Sequence, residues 1–171
     1  MKLLRLFLGA FILALGASRL AAEDPTPAER ATWRKPSTNP ILAQKLVNDL
    51  MAAHSELLVI GLHGVAPGTT DQIMFATNLD RVGKKDDDDD KAVAVEHKMI
   101  LAPNLTDPTK FEVQVWMKDA SGRQLNAAAG FVFKYIPGES EVALLTKALA
   151  FRDELARRTP TYGALFAPAK L

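Results

Sequence analysis

The chain contains no cysteine among its 171 residues. This absence excludes disulfides, thiolate metal sites, thiol catalysis and haem attachment through cysteine. Histidine is also scarce, and the three residues, His54, His63 and His97, do not have the spacing of a helical metal-binding pair. The stability of the fold must therefore come from ordinary packing of a core.

Strong charge of one sign and long apolar runs are also missing. The formal net charge is +1, which argues against nucleic acid as the main partner because such a partner requires a basic face. The apolar run at 6–15 is shorter than the roughly 20 residues that a membrane-spanning helix needs. No later stretch is apolar enough, so we expect no membrane span in the mature chain.

The first residues have the order of a secretory signal peptide. Lys2 and Arg5 precede the apolar run at 6–15, and small residues follow it. Cleavage after Ala22 is favoured, and cleavage after Ser18 is the alternative. The sequence therefore predicts a periplasmic or secreted protein.

Four segments follow from this interpretation. Removal of the signal peptide takes away three basic residues and no acid, so the formal charge of the mature chain is −2. The rest is long enough for one domain with a core. The predicted division is a signal peptide at 1–22, a flexible leader at 23–38, a single domain at 39–160 and a C-terminal tail at 161–171.

Three segments have helical patterns. A helix over about 40–55 is predicted by the cap Asn39, by Pro40 in the first turn and by apolar residues at helical spacing. The segment 140–158 has an apolar face, acids at its start and arginines at its end, which suit the helix dipole. A short helix over 86–95 would begin in an acidic run.

The remaining segments have strand patterns. The branched run 57–65 and the segment 72–79 predict a hairpin with a loop at 66–71. A third strand is expected near 97–101. Alternation is clearest at 111–118, which turns back into 125–135. The order of elements predicts an α+β fold, with an antiparallel sheet of about five strands and a helix at each end.

This order resembles an extracytoplasmic PAS-like domain of the single Cache type, standing alone. Residues 78–85 are similar to the asn…ile-gly-lys segment after the second strand of such domains. The hairpin from 111 to 135, with its turn Asp119-Ala120-Ser121-Gly122, resembles their closing hairpin with its asp-x-x-gly turn. The resemblance covers about 40–155. The chain departs from membrane-bound receptors of this family, which continue into a transmembrane helix and an effector, and it lacks the aromatic-plus-arginine signature of amino-acid-binding double Cache modules.

The resemblance implies a pocket between the sheet and the loops near 78–98. His63 lies in an apolar strand, where a satisfied core histidine is the alternative to a ligand contact. His54 is expected at a helix end, and His97 is expected to be exposed. The predicted ligand-binding side chains are His63, Asn78, Arg81, Lys98, Trp116 and Tyr135.

Small residues at 127–130 indicate that something packs closely against one strand. The period of two puts Ala127 and Ala129 on one side and Ala128 and Gly130 on the other. We expect the terminal helix to fill one side, and the other side to border any cavity.

The acidic run Asp86–Asp90 is the most conspicuous polar feature. Carboxylates suit Ca²⁺, but the run lacks the spaced ligands and the glycine of an EF-hand loop. The sequence predicts an exposed, weakly ordered face, and it predicts neither a metal nor a cofactor.

The leading functional hypothesis is an exported soluble domain that binds a small molecule or a partner protein in the envelope. The alternative is a structural or interaction protein of the periplasm without a ligand pocket. A hydrolase ranks last, because Ser121-Gly122 does not form the strand–turn–helix arrangement of an esterase nucleophile. No catalytic residue is predicted.

Overall fold

The structure is a computed structural model that describes residues 25–104 and 106–169. The predicted signal peptide lies outside the described residues. The elements in chain order are α1 Pro27–Ala31, α2 Leu42–Ala53, β1 Leu57–Val65, β2 Gln72–Thr77, α3 Asp88–Glu96, β3 Ile100–Pro103, β4 Lys110–Lys118, β5 Gln124–Lys134, α4 Glu141–Arg157 and a 3₁₀ helix Gly163–Phe166.

The five strands form one antiparallel sheet in the order β2-β1-β5-β4-β3. β1 pairs with both β2 and β5, so the first and last strands in the sequence are neighbours in the middle of the sheet. The α+β prediction and the pairing of the alternating strand with its return strand are confirmed. The side chains that alternate on β4 are buried as expected: Phe111, Val113, Val115 and Met117.

One face of the sheet, here called the core face, carries the main apolar core beneath α2 and α4. Leu46 and Val47 of α2 are fully buried there. The ring of Phe151 on α4 lies 5.8 Å from that of Phe131 and 6.0 Å from that of Phe133, between centroids. Leu165 of the 3₁₀ helix is also fully buried in this core, so packing continues past residue 160.

The opposite face, here called the open face, is covered only in part. Val93 and Ala94 of α3 pack on Ala128 of β5. Ala127 and Ala129 point the other way and belong to the main core. Both sides of the small-residue stretch are therefore filled at residues 127–129, and only Gly130 lies where the open face is bare.

Several element boundaries differ from the predictions. α2 begins at Leu42 with Ile41 as its N-cap, so Asn39 does not cap it. The third strand begins at Ile100 rather than near 97, because His97 has φ 55° and ends α3 in the left-handed conformation. The predicted leader contains α1, capped by reciprocal hydrogen bonds between Thr26 and Glu29, and Arg34 pairs with Val82. Within 25–104 and 106–169, no helix combines the length and apolar content needed to cross a membrane.

Candidate functional site

Two glycines that face each other form a bare patch in the middle of the open face. Gly61 of β1 is the register partner of Gly130 of β5. A Cβ on Gly61 would lie only 2.7 Å from Nε2 of His63, and one on Gly130 would lie 3.2 Å from Oε1 of Glu112. Neither glycine has the positive φ that would require it for backbone reasons. Glycine at these positions therefore leaves space for the neighbouring polar side chains.

A cavity of about 460 Å³ lies over this bare patch. Its volume is within the range of small-molecule sites. Apolar contacts come from Val59, Met74, Leu79 and Val132. Charged groups of both signs line the rest: Arg81, Lys84 and Lys110, with Asp87, Asp90, Asp107 and Glu112.

Gln114, one of the residues that line the cavity, also has a buried hydrogen-bond acceptor without a partner among the described residues. Its Nε2 donates to Oε1 of Glu112 at 3.1 Å, and its own Oε1 is buried without a partner among the described residues. The reverse amide orientation would set two oxygens against each other, so this assignment is favoured. A buried carbonyl without a donor costs about 1–3 kcal/mol.

His63 is held by two carboxylates behind the cavity wall. Its Nδ1 donates to Oδ1 of Asp86 at 2.8 Å and lies 3.5 Å from Oδ2 of Asp90. Because a carboxylate only accepts, the proton is on Nδ1. The other nitrogen, Nε2, lies on the side of Gly61 and Gly130. The side chains of all three residues are at most 5% exposed.

Burial and charge compete in this cluster. Burial by itself lowers the pKa of His63, but the hydrogen bond to Asp86 and the charges of Asp90 and Asp86 outweigh it, so the pKa is raised. Burial raises the pKa of Asp90 to about 6, with help from the charges of Asp87 and Asp86 and against that of His63. Asp90 therefore changes protonation near pH 6.

The prediction that the whole acidic run is exposed is wrong for two of its members. Asp86 and Asp90 are 6% and 3% exposed, whereas the residues between them are exposed. The reason is local: Asp87 caps α3 through reciprocal hydrogen bonds with Asp90. The helical turn brings residue 90 back toward the sheet, and the extended backbone before it places Asp86 against His63.

Two of the six predicted ligand-binding side chains, His63 and Arg81, line the cavity. Asn78 instead joins two strands, since it accepts from the backbone N–H of Ile60 at 3.0 Å and donates to the carbonyl of Leu58 at 3.1 Å. Lys98 forms an exposed ion pair with Glu96.

The two predicted aromatic contacts lie elsewhere. The ring of Trp116 lies 6.1 Å from that of His97 and 5.8 Å from the guanidinium of Arg152. Tyr135 packs on Phe111 at 5.1 Å, next to the main core. His97, expected to be exposed, is half-buried, and His54 lies at the end of α2 as expected.

Sequence reasoning missed the bare patch, Glu112, Gln114 and the two buried aspartates. The alternation on β4 already placed Glu112 and Gln114 on the face opposite the core, which is a usable signal. The pairing of Gly61 with Gly130 depends on the β1–β5 register, and nothing local in the sequence reveals that register.

No protein-family model matches this chain, and no curated protein matches it. Among solved structures it is similar to the Agobacterium tumefaciens repressor BlcR, at 9% identity and a TM-score of 0.47, over 68% of this chain and 66% of the repressor. It is also similar to a GAF sensor protein from Burkholderia vietnamiensis, at 11% identity and a TM-score of 0.47, over 77% of this chain and 83% of that one.

A third similar structure is Pseudomonas aeruginosa HmgR, at 14% identity and a TM-score of 0.41, over 80% of this chain and 71% of that one. All three scores are below 0.5, so none of these likenesses assigns a family or a ligand to the chain.

Proposed function

We propose that this domain binds a small polar organic molecule in the cavity over Gly61 and Gly130. The observation that carries the proposal is the cavity of about 460 Å³ over two facing glycines, lined by Gln114 and by charged groups of both signs. The buried Oε1 of Gln114, which has no partner among the described residues, adds support because native folds keep such atoms rare.

The surrounding groups specify the chemistry of the ligand. The Glu112 carboxylate accepts hydrogen bonds, and a rotation of the Gln114 side chain would turn its Oε1 toward the cavity, so the ligand presents N–H or O–H donors to β4. When protonated on both nitrogens, His63 can donate through Nε2 to an acceptor on the ligand. Met74 and Val132 contact the apolar remainder.

We further propose that the domain is exported and of the extracytoplasmic Cache type. The support is the order of charge, apolar run and small residues over 1–22, together with the resemblance at 78–85 and 111–135. N-terminal sequencing of the protein from its host should give a start near Glu23. A protein that retains Met1 in the cytoplasm would contradict the proposal.

A partner protein is the second candidate, and one observation favours it. Ile136 and Val142, close in sequence near the start of α4, are 60% and 70% exposed. Apolar side chains this exposed are typical of contact surfaces when they form a contiguous patch. A partner bound at Ile136 and Val142 would not depend on the cavity, because neither residue lines it.

The test is mass spectrometry of small molecules released from the folded, purified protein. Gly130→Ala adds a methyl to the cavity floor, where only the half-buried Glu112 carboxylate must move. We expect ligand affinity to fall about tenfold or more, which corresponds to about 1.4 kcal/mol, with little loss of stability. Gln114→Met should also lose the ligand, while the removal of an unpartnered oxygen leaves stability unchanged or raised.

Lys134→Ala is the matched control, because Lys134 is on the same strand and face but does not line the cavity. It should keep the ligand. If nothing is released from the unaltered protein, or if all three variants retain the same molecule equally, the cavity is not a ligand site.

A further inference from the structure

We propose that His63, Asp86 and Asp90 form a binding site for one divalent transition-metal ion of the Zn²⁺ type, at the wall of the cavity. The proposal rests on the cluster itself and is independent of whether an organic molecule occupies the cavity. These residues come from β1, from the segment before α3 and from its first turn.

The donor atoms are already at ligand spacing. One ligand atom from each residue lies within 4.8 Å of one from each of the others. His63 Nδ1 is 2.8 Å from Asp86 Oδ1 and 3.5 Å from Asp90 Oδ2. Two donors each about 2.1 Å from one metal ion at ordinary angles are roughly 3.0–3.4 Å apart, so small shifts of side chains would admit the ion.

The charges of the three residues themselves do not balance, and the nearest cation that acts on them, Lys84, belongs to another part of the cavity lining. Two carboxylates are buried beside one imidazole, which can offset only one of them. Burying an ionised carboxylate without a full partner is costly. A divalent ion bound to two carboxylates and a neutral imidazole makes the group neutral, and the Nδ1 proton leaves to solvent.

An independent observation indicates a missing partner. Oδ2 of Asp86 is buried and accepts no hydrogen bond from any described residue. The other oxygen of the same carboxylate accepts from His63. A metal ion, which can take both oxygens or exchange them, would satisfy this atom.

The donor set selects the class of ion. Ca²⁺ and Mg²⁺ prefer ligand sets made only of oxygen, whereas imidazole with carboxylates suits Zn²⁺ and its neighbours in the first transition series. His63 and Asp90 also line the cavity. A three-residue site leaves a fourth coordination position that a water molecule would fill, as in open zinc sites.

The experiment titrates Zn²⁺ into untagged, chelator-stripped full-length protein and follows the thermal midpoint and the zinc content. We expect one Zn²⁺ per chain. At a free zinc concentration about a hundred times Kd, the midpoint should rise by roughly 5–10 °C. Ca²⁺ at the same concentration should give no rise. In Co²⁺-loaded protein, visible absorption bands should appear and should vanish when Zn²⁺ is added.

Variants distinguish zinc binding by this cluster from zinc binding by other acidic or histidine side chains. Asp90→Asn and His63→Gln should abolish the zinc-dependent rise, whereas Asp88→Asn and Asp89→Asn, which remove the same charge from exposed neighbours, should keep it. His54→Gln should also keep it, although His54 lies 3.1 Å from the carboxylate of Glu154. If Asp90→Asn or His63→Gln does not fold, the Co²⁺ spectrum of the unaltered protein decides the question.

Absence of stoichiometric zinc, an unchanged response in both cluster variants, or loss of the response only in His54→Gln would overturn the proposal. The cluster would then be a buried polar contact between β1 and α3 that requires no ion.

Discussion

The two faces of the sheet are built from the same strands and have opposite character. On β4, Phe111 and Val113 of the core face are fully buried among apolar side chains, while the residues Glu112 and Gln114 beside them line a polar cavity. The core face is covered by two long helices, whereas α3 covers only part of the open face. Neighbouring residues of β4 therefore belong by turns to the apolar core and to the lining of the polar cavity.

The distribution of unpartnered polar atoms sharpens this contrast. Among the described residues, four buried side-chain atoms lack a hydrogen-bond partner, and all four belong to residues on the open face or to the segments that cover it. They are Asp86 Oδ2, His97 Nε2, Gln114 Oε1 and Trp116 Nε1. Native folds keep such atoms rare, and among the described residues none of the four belongs to the core face.

The largest expected effect compares neighbours on β5. Phe131→Ala should lower the free energy of unfolding by about 3–5 kcal/mol, because it empties a fully buried site in the main core. Val132→Ala removes a half-buried group next to the cavity and should cost about 1 kcal/mol or less. Urea unfolding with an unchanged m-value measures both. Equal losses would show that the open face contributes as much to stability as the core face.

The next effect concerns pH and Asp90 in the presence of chelator. The pKa of Asp90 is raised to about 6 in the folded protein, above its unfolded value near 4. The stability that comes from this shift is therefore fully present below about pH 4 and is lost as the pH rises through 6. Relative to wild type, Asp90→Asn should gain about 2 kcal/mol between pH 4.5 and pH 8.

The raised pKa of His63 acts in the same direction for the wild type, so His63→Gln should also reduce the pH dependence of unfolding. Asp88→Asn is the control, since its side chain is fully exposed. A gap between wild type and Asp90→Asn that stays constant with pH, or that shrinks as the pH rises, would contradict the assignment of the shift to burial.

The smallest expected effect comes from the exposed members of the acidic run, compared with its buried member Asp86. Replacement of the two exposed acids, as in the double variant Asp88→Ser and Asp89→Ser, should change the free energy of unfolding by less than about 0.5 kcal/mol per site. Asp86→Ser should cost more, because it leaves Nδ1 of His63 without its acceptor. Thermal unfolding measures the stability of each variant. Similar midpoints for the variants at Asp86, Asp88 and Asp89 would mean that the whole acidic run is solvated.

The sequence predicted what local periodicity can encode. The alternation at 111–118 separated core side chains from polar ones, and the apolar spacing of α2 and α4 identified the helices that cover the core. Each of these signals arises from one element that buries one face, so it is present in a short stretch of residues. The α+β class followed from the order of the elements.

The tertiary structure decided the site. Gly61 and Gly130 lie far apart in the sequence and meet only because β1 and β5 pair in the middle of the sheet. The sequence predicted Asp86 and Asp90 to be solvated charges. In the structure the cap of α3 places both carboxylates against His63 on β1. Burial of a charge depends on what packs over it, and that partner comes from a distant part of the chain.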